Sequence, residues 1–333
     1  MIRLALLVAA ALASLATSRL MAADVQVETV VDGLHHPTGI AIQPETGHVF
    51  VADSGALRVV RVVEGKIEEV VTGFSKDVYG PGPMYDIGPL GLGFQDKETL
   101  IVGGGGKPDG DDELFVFTIP KLGEKSIAAD KPKLSFKLPA KGEVHGEGNF
   151  YGVAVTKTGV YVTGNGDDAQ GWISKAEING TKIENFERFI ATRTKVEATA
   201  PVGITIGPRG DLVVGQMGKI DTPEDALVSF YSAKDGGLLA NYKTGLFDIT
   251  ALAYSPKGQL YALDFAWMEP GRGGLFQLIA DRGGSGQQVK AQQVVALERP
   301  TAMAFSPDGT LYVTVLGKGE KGAGALLKIT PGL

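Results

Sequence analysis

Pro300-Thr301-Ala302-Met303-Ala304-Phe305-Ser306-Pro307-Asp308-Gly309-Thr310-Leu311-Tyr312-Val313 is the stretch that decides the fold. A short apolar segment opens on a small residue, a Pro-Asp-Gly turn follows, and a β-branched and aromatic segment runs back. Proline presets φ for the turn and glycine takes its left-handed position. The opening segment recurs as Pro37-Thr38-Gly39-Ile40-Ala41-Ile42, Pro89-Leu90-Gly91-Leu92-Gly93-Phe94 and Phe150-Tyr151-Gly152-Val153-Ala154-Val155. It returns again as Pro201-Val202-Gly203-Ile204-Thr205-Ile206 and Ile249-Thr250-Ala251-Leu252-Ala253-Tyr254. The small anchors 39, 91, 152, 203, 251 and 302 are spaced by 52, 61, 51, 48 and 51 residues. A period near fifty made of strands and turns predicts an all-β, six-bladed β-propeller of four-stranded antiparallel blades.

Blade 1 shows the four strands, near Gly39–Gln43, His48–Asp53, Leu57–Val62 and Ile67–Thr72. The last repeat stops after its third strand, Ala325–Ile329. An orphan strand, Val25–Val31, stands ahead of blade 1, and Glu28-Thr29-Val30-Val31-Asp32-Gly33-Leu34 echoes Glu68-Glu69-Val70-Val71-Thr72-Gly73-Phe74. The N-terminal strand is therefore expected to complete blade 6, pairing two edges that would otherwise lie open. No linker divides the chain, so residues 24–333 read as one domain.

Residues 1–23 read as a signal peptide. Met1-Ile2-Arg3 is basic, Leu4 to Ala16 is almost wholly apolar and too short to span a bilayer, and cleavage fits after Ala16 or Ala23. A secreted or periplasmic setting follows, with no integral membrane segment in the mature chain. There is no cysteine, hence no disulfide, lipid-bearing thiol, thiolate zinc site or thiol nucleophile. A net charge of −6 gives no reason to expect a nucleic-acid partner.

Leu34-His35-His36-Pro37-Thr38-Gly39-Ile40-Ala41, Val49-Phe50-Val51-Ala52-Asp53-Ser54-Gly55 and Arg58-Val59-Val60-Arg61-Val62 resemble an NHL repeat nearly position by position. The whole mature chain is similar in architecture to the NHL-repeat and SMP-30/gluconolactonase-like six-bladed propellers. That resemblance implies the fold, but it leaves the function open, because such propellers serve as hydrolases, lyases, sugar dehydrogenases and binding modules.

Alternating strand direction puts the residues entering each first strand on one face, around the channel mouth. Three positions before the anchors stand His36, Gly88, Asn149, Ala200, Asp248 and Arg299. Imidazole, amide and carboxylate oxygen are metal-ligand chemistries, so His36, Asn149 and Asp248 are the candidate set for one divalent cation, calcium being the natural oxygen-loving choice. Arg299 adds a cation beside them. Such residues also cap strand ends by accepting backbone N–H groups. In His145-Gly146-Glu147-Gly148-Asn149, an extended backbone would align His145, Glu147 and Asn149 on one side. Asp264, followed by Phe265-Ala266-Trp267-Met268-Glu269, joins His145 and Glu147 at the expected rim. Asp53, the NHL-type aspartate, reads as a turn cap, and Asp109-Gly110-Asp111-Asp112-Glu113 as a solvated acidic turn.

Three functional readings stand beside one another. The first is a binding module that takes a protein, a glycan or a small molecule across the loop face. The second is a metal-dependent hydrolase of the lactonase type. The resemblance implies Asn or Asp ligands directly before the anchor, where this chain has Thr38, Leu90, Tyr151, Val202, Thr250 and Thr301. The third is a quinone-dependent sugar dehydrogenase, with Arg299, His36, Trp267 and Arg272 as candidate cofactor contacts. On all three, Asp248→Ala is expected to weaken binding while changing stability little.

Overall fold

The computed structural model describes residues 25–166, 170–196, 200–283, 286–330 and 333. Residues 1–23, read above as a signal peptide, lie outside them. No helix among the described residues is long and apolar enough to cross a membrane. The chain forms six antiparallel sheets around a central channel. Their innermost strands are Pro37–Ile42, Pro89–Phe94, Val153–Val155, Pro201–Ile206, Ile249–Tyr254 and Pro300–Phe305. Blade 6 is completed by Gln26–Leu34, which pairs antiparallel with Gly324–Thr330, so the ends of the chain close the ring.

The core is a set of six seams between stacked sheets. The reason is the period-two alternation of the second strands. In Val49–Asp53, Phe50 and Ala52 turn toward blade 2 and join Leu92, Leu100 and Phe117. Val49 and Val51 turn the other way and join Val31, Leu34, Ala302 and Leu326 at the blade 6 seam. The same division gives one apolar cluster for each of the remaining pairs of neighbours. Each blade is thus buried on both faces, which is how a chain without disulfides reaches a sufficient core.

Blades 1 to 4 place glycine at the anchor because the next blade approaches to contact distance. A Cβ on Gly39 would stand 2.0 Å from the Leu90 carbonyl oxygen, and one on Gly91 2.3 Å from that of Tyr151. A register shift falls at this point in the innermost strands of blades 1, 2, 4, 5 and 6. Such bulges twist the strand and re-aim the adjoining side chains.

Two insertions break the repeat. Inside blade 2, between its third strand Leu114–Thr118 and its fourth strand Leu134–Phe136, Ile127–Ala128 crosses back to pair in parallel with the outer strand of blade 1. Between blades 1 and 2 a hairpin, Asp77–Tyr79 with Tyr85–Ile87, rises from the loop face and bends over the channel.

Candidate functional site

The residues just before the anchors form the floor of a pocket at the loop face. Their polar groups are used to tie one blade to the next. Thr250 Oγ1 donates to the Pro300 carbonyl at 2.9 Å, and Thr301 Oγ1 to the Pro37 carbonyl at 2.7 Å. Thr38 Oγ1 lies 3.2 and 3.3 Å from the Pro89 and Leu90 carbonyls. Tyr151 reaches across the channel from blade 3 to the opposite blade, where its hydroxyl donates to the Thr301 carbonyl at 3.0 Å. Burial pushes its phenol pKa well up, so it remains a neutral donor. This side chain plugs the channel and makes the pocket blind.

The roof is aromatic. Phe265 and Trp267 come from the loop after the second strand of blade 5, and Tyr79 and Tyr85 come from the inserted hairpin. Tyr85 meets the Trp267 ring edge-on at 5.3 Å between centroids, and Phe265 meets it at 5.0 Å. Such pairs add to their area burial when offset or edge-on. At the hairpin tip, Trp267 Nε1–H donates to the Gly82 carbonyl at 3.3 Å. Gly80 lies flat on the indole, where a Cβ would be 2.4 Å from the ring. The hairpin is therefore a lid resting on blade 5. Between floor and roof lies a pocket of about 70 Å³, measured as the space open to the centre of a water-sized molecule, lined by residues of all six blades, including Leu90, Asn149, Val202, Thr250 and Leu316.

One wall carries the histidine pair. His36 Nε2 lies 2.9 Å from the Gly319 carbonyl and Nδ1 3.3 Å from that of Asp86. A neutral imidazole has one N–H for these two acceptors. His35 packs on His36 with ring centroids 4.4 Å apart. Burial, then the neighbouring His36, lowers the His35 pKa, opposed by Asp86 3.6 Å away. The Asp86 carboxyl is held below its ordinary range by Lys76, at 2.9 Å. His36, Asn149 and Arg299 all adopt left-handed backbone, with φ of 48°, 48° and 51°. Non-glycine residues pay for that conformation, and here it turns each side chain at the entry to a first strand.

The residues expected at the mouth divide into two groups. His36 and Asn149 line the pocket. Asp248, Asp264 and Glu147 do not: each is 1 % exposed or less and each holds backbone N–H groups. Asp264 accepts from Phe247, Asp248 and Ala266 at 3.0, 2.8 and 3.2 Å. Asp248 accepts from Trp267 N–H at 2.6 Å. Glu147 accepts from Gly148 and Gly166 at 3.2 and 2.7 Å. The two aspartates hold the loop that presents Phe265 and Trp267. Burial raises the Asp248 pKa to about 7, with Asp264 and Asp225 adding to it and the Trp267 bond opposing.

His145 is exposed, and its carbonyl accepts from Arg188 at 2.6 Å. The segment from His145 to Asn149 is not the extended run that would align it with Glu147, because Asn149 is left-handed and Glu147 turns inward. Arg299 stands behind the lid, donating to the Gly317 carbonyl at 3.0 Å and facing Glu298 at 3.2 Å. Asp53 caps as read, accepting from His35 N–H at 2.6 Å and pairing with Arg58 at 2.9 Å. The acidic turn differs from expectation at Asp112, which is buried and accepts from Lys107 and Asn149 N–H at 3.0 Å each. Burial lifts its pKa to about 6.

The donor set does not fit the divalent cation that the resemblance implies. Asp248 is spent on Trp267, both nitrogens of His36 face carbonyls, and Asn149 is left alone. Among the described residues no group of three or more His, Cys, Asp or Glu side chains is placed to hold a metal. Of the quinone contacts, His36 and Trp267 line the pocket, whereas Arg299 and Arg272 do not. Arg272 lies over the Phe247 ring at 4.5 Å and beside Glu224, away from the pocket lining.

No protein-family model and no curated protein matches the chain. Solved structures do. An oxidoreductase described as a glucose dehydrogenase, from Thermus thermophilus, is 18% identical, with a TM-score of 0.62 over 92% of this chain and 100% of that one. The PQQ-bound aldose sugar dehydrogenase of Streptomyces coelicolor is 14% identical, with a TM-score of 0.60 over 92% and 98%. A gluconolactonase of Xanthomonas campestris is 12% identical, with a TM-score of 0.58 over 92% and 90%. They share its fold. The six-bladed propeller, with gluconolactonase and sugar dehydrogenase propellers among its structural neighbours, is what these likenesses establish.

Proposed function

We infer that this protein is a secreted or periplasmic binding propeller that takes a small molecule into the lidded pocket of its loop face. One observation carries the reading: a blind, largely apolar pocket has a dedicated lid, the Asp77–Ile87 hairpin, which lies outside the blade repeat and rests on Trp267. A propeller does not need such an insertion to close its ring. Concave, mostly apolar sites with a few placed polar groups are the usual form of small-molecule sites. The carboxylates that metal-dependent hydrolysis would use are occupied with backbone caps, which favours binding over that chemistry. The test is a thermal-shift panel of small soluble fragments on the wild type and on Trp267→Ala. At least one fragment should raise the wild-type Tm and lose its effect in the variant. A panel in which every effective fragment acts equally on both proteins would refute the pocket as the site.

A further inference from the structure

The polar inventory of the pocket also restricts the class of ligand, an inference that rests on the pocket being the site. Thr250, Thr301 and Tyr151 donate their hydroxyl hydrogens to backbone carbonyls, and Thr38 faces two more. His36 holds both ring nitrogens against carbonyls. The Asp86 carboxylate is neutralised by Lys76. Two carboxamides and the Tyr85 hydroxyl remain, Tyr85 Oη being buried without a hydrogen-bond partner. The side chain of Asn149 makes no hydrogen bond among the described residues, and Asn165 Oδ1 is buried without a partner. Both come from blade 3 and line the same pocket as Tyr85, Phe265 and Trp267.

These groups cannot satisfy a polyol. A hexose would bring several hydroxyls into an apolar cavity with two carboxamides and one phenol hydroxyl to meet them, and each hydroxyl stripped of water and left unpaired costs about tenfold or more in affinity. A phosphate or carboxylate would find neither Arg299 nor Lys76 in the pocket lining, and Lys76 is already paired with Asp86. Flat aromatic surface is what the roof accepts at no such cost. We propose that the ligand is a neutral, flat aromatic molecule with one or two hydrogen-bonding groups, its ring under the Tyr85–Phe265–Trp267 roof and its polar edge on Asn149 and Asn165. The class differs from the sugars named for the neighbouring folds because those folds need only share the scaffold, while the pocket chemistry is set by residues of this chain.

The experiment uses p-cresol, toluene, D-glucose and glucono-δ-lactone as probes on the mature protein. Binding is read by Tm and by quenching of Trp267 emission in a Trp172→Phe background, which leaves Trp267 as the single tryptophan of the chain. p-Cresol and toluene should raise Tm and quench Trp267, and neither sugar probe should do so. Asn165→Leu should weaken p-cresol about tenfold and leave toluene within about twofold, since one hydrogen bond in an apolar site is worth roughly that factor. Sugar or lactone binding that quenches Trp267, without p-cresol binding, would overturn the ligand class and keep the pocket. Binding of any probe that leaves Trp267 emission untouched would overturn the pocket reading itself. Absence of binding by both aromatic probes would overturn the proposed class. Equal loss of p-cresol and toluene in Asn165→Leu would remove the carboxamide from recognition.

Discussion

Replacing Asp248 by asparagine should stabilise the protein above neutral pH and do much less in acid. Asp248 is 1 % exposed, and its carboxyl accepts the Trp267 N–H at 2.6 Å. Burial, with Asp264 and Asp225 nearby, raises its pKa from 3.8 to about 7. The folded state therefore binds a proton that the unfolded chain has lost between those values. Stability from this group falls as pH rises from about 4 to about 7 and is flat above. Asparagine keeps the acceptor for Trp267 and has no charge to bury. The relief is about 1 kcal/mol at pH 4.5 and about 4 kcal/mol at pH 8, taking about 1.4 kcal/mol for each pH unit of protonation difference. A folded chain of about 300 residues unfolds with an entropy near 0.6 kcal/mol/K, so the change in relief between the two pH values corresponds to about 5 °C. Circular-dichroism melts of wild type and Asp248→Asn at pH 4.5 and pH 8 test this. A variant whose Tm difference from wild type is the same at both pH values would refute the buried, protonated Asp248. A lower Tm at pH 8 would show that the carboxylate form is the one the fold wants.

Asp264→Ala leaves the N–H groups of Phe247, Asp248 and Ala266 without their acceptor, and should cost about 3 kcal/mol or more, measured by urea denaturation; an unchanged midpoint would remove the cap. Deleting residues 25–34 strips the outer strand from blade 6 and takes buried Val31 and Leu34 from its seam, so the protein should lose cooperative melting; a soluble product with the wild-type Tm would refute closure by the N-terminus. Gly39→Ala should lower Tm through the clash with the Leu90 carbonyl, whereas Ala302→Gly, at the matching place of blade 6, loses one buried methyl without a clash and should lower it by about 2–3 °C. EDTA and added calcium should leave Tm unchanged, because the candidate ligands are committed elsewhere; a calcium-dependent rise lost on chelation would restore a cation site.

The blades, their order and the closing strand are legible in the residues themselves. A period near fifty, small anchors and Pro-Gly turns are local signals. Glu28–Leu34 reads as an outer strand because it repeats Glu68–Phe74. Even the cap at Asp53 follows from its place in the repeat. What the sequence leaves open is the destination of each polar side chain. His36, Asn149 and Asp248 share one position in the repeat, yet His36 and Asn149 face the pocket and Asp248 turns to Trp267. That choice depends on which backbone N–H groups the neighbouring loop leaves unpaired: Asp248 is claimed by Trp267 N–H, in the loop after the second strand of its own blade. The lid is equally hidden. Asp77–Ile87 has no counterpart in the other blades, so periodicity says nothing of it, and its meeting with Trp267 spans 185 residues. Repetition fixes the scaffold because each blade buries the same faces against its neighbours. The pocket is decided only in three dimensions, because its floor, wall and roof are single residues contributed by all six blades.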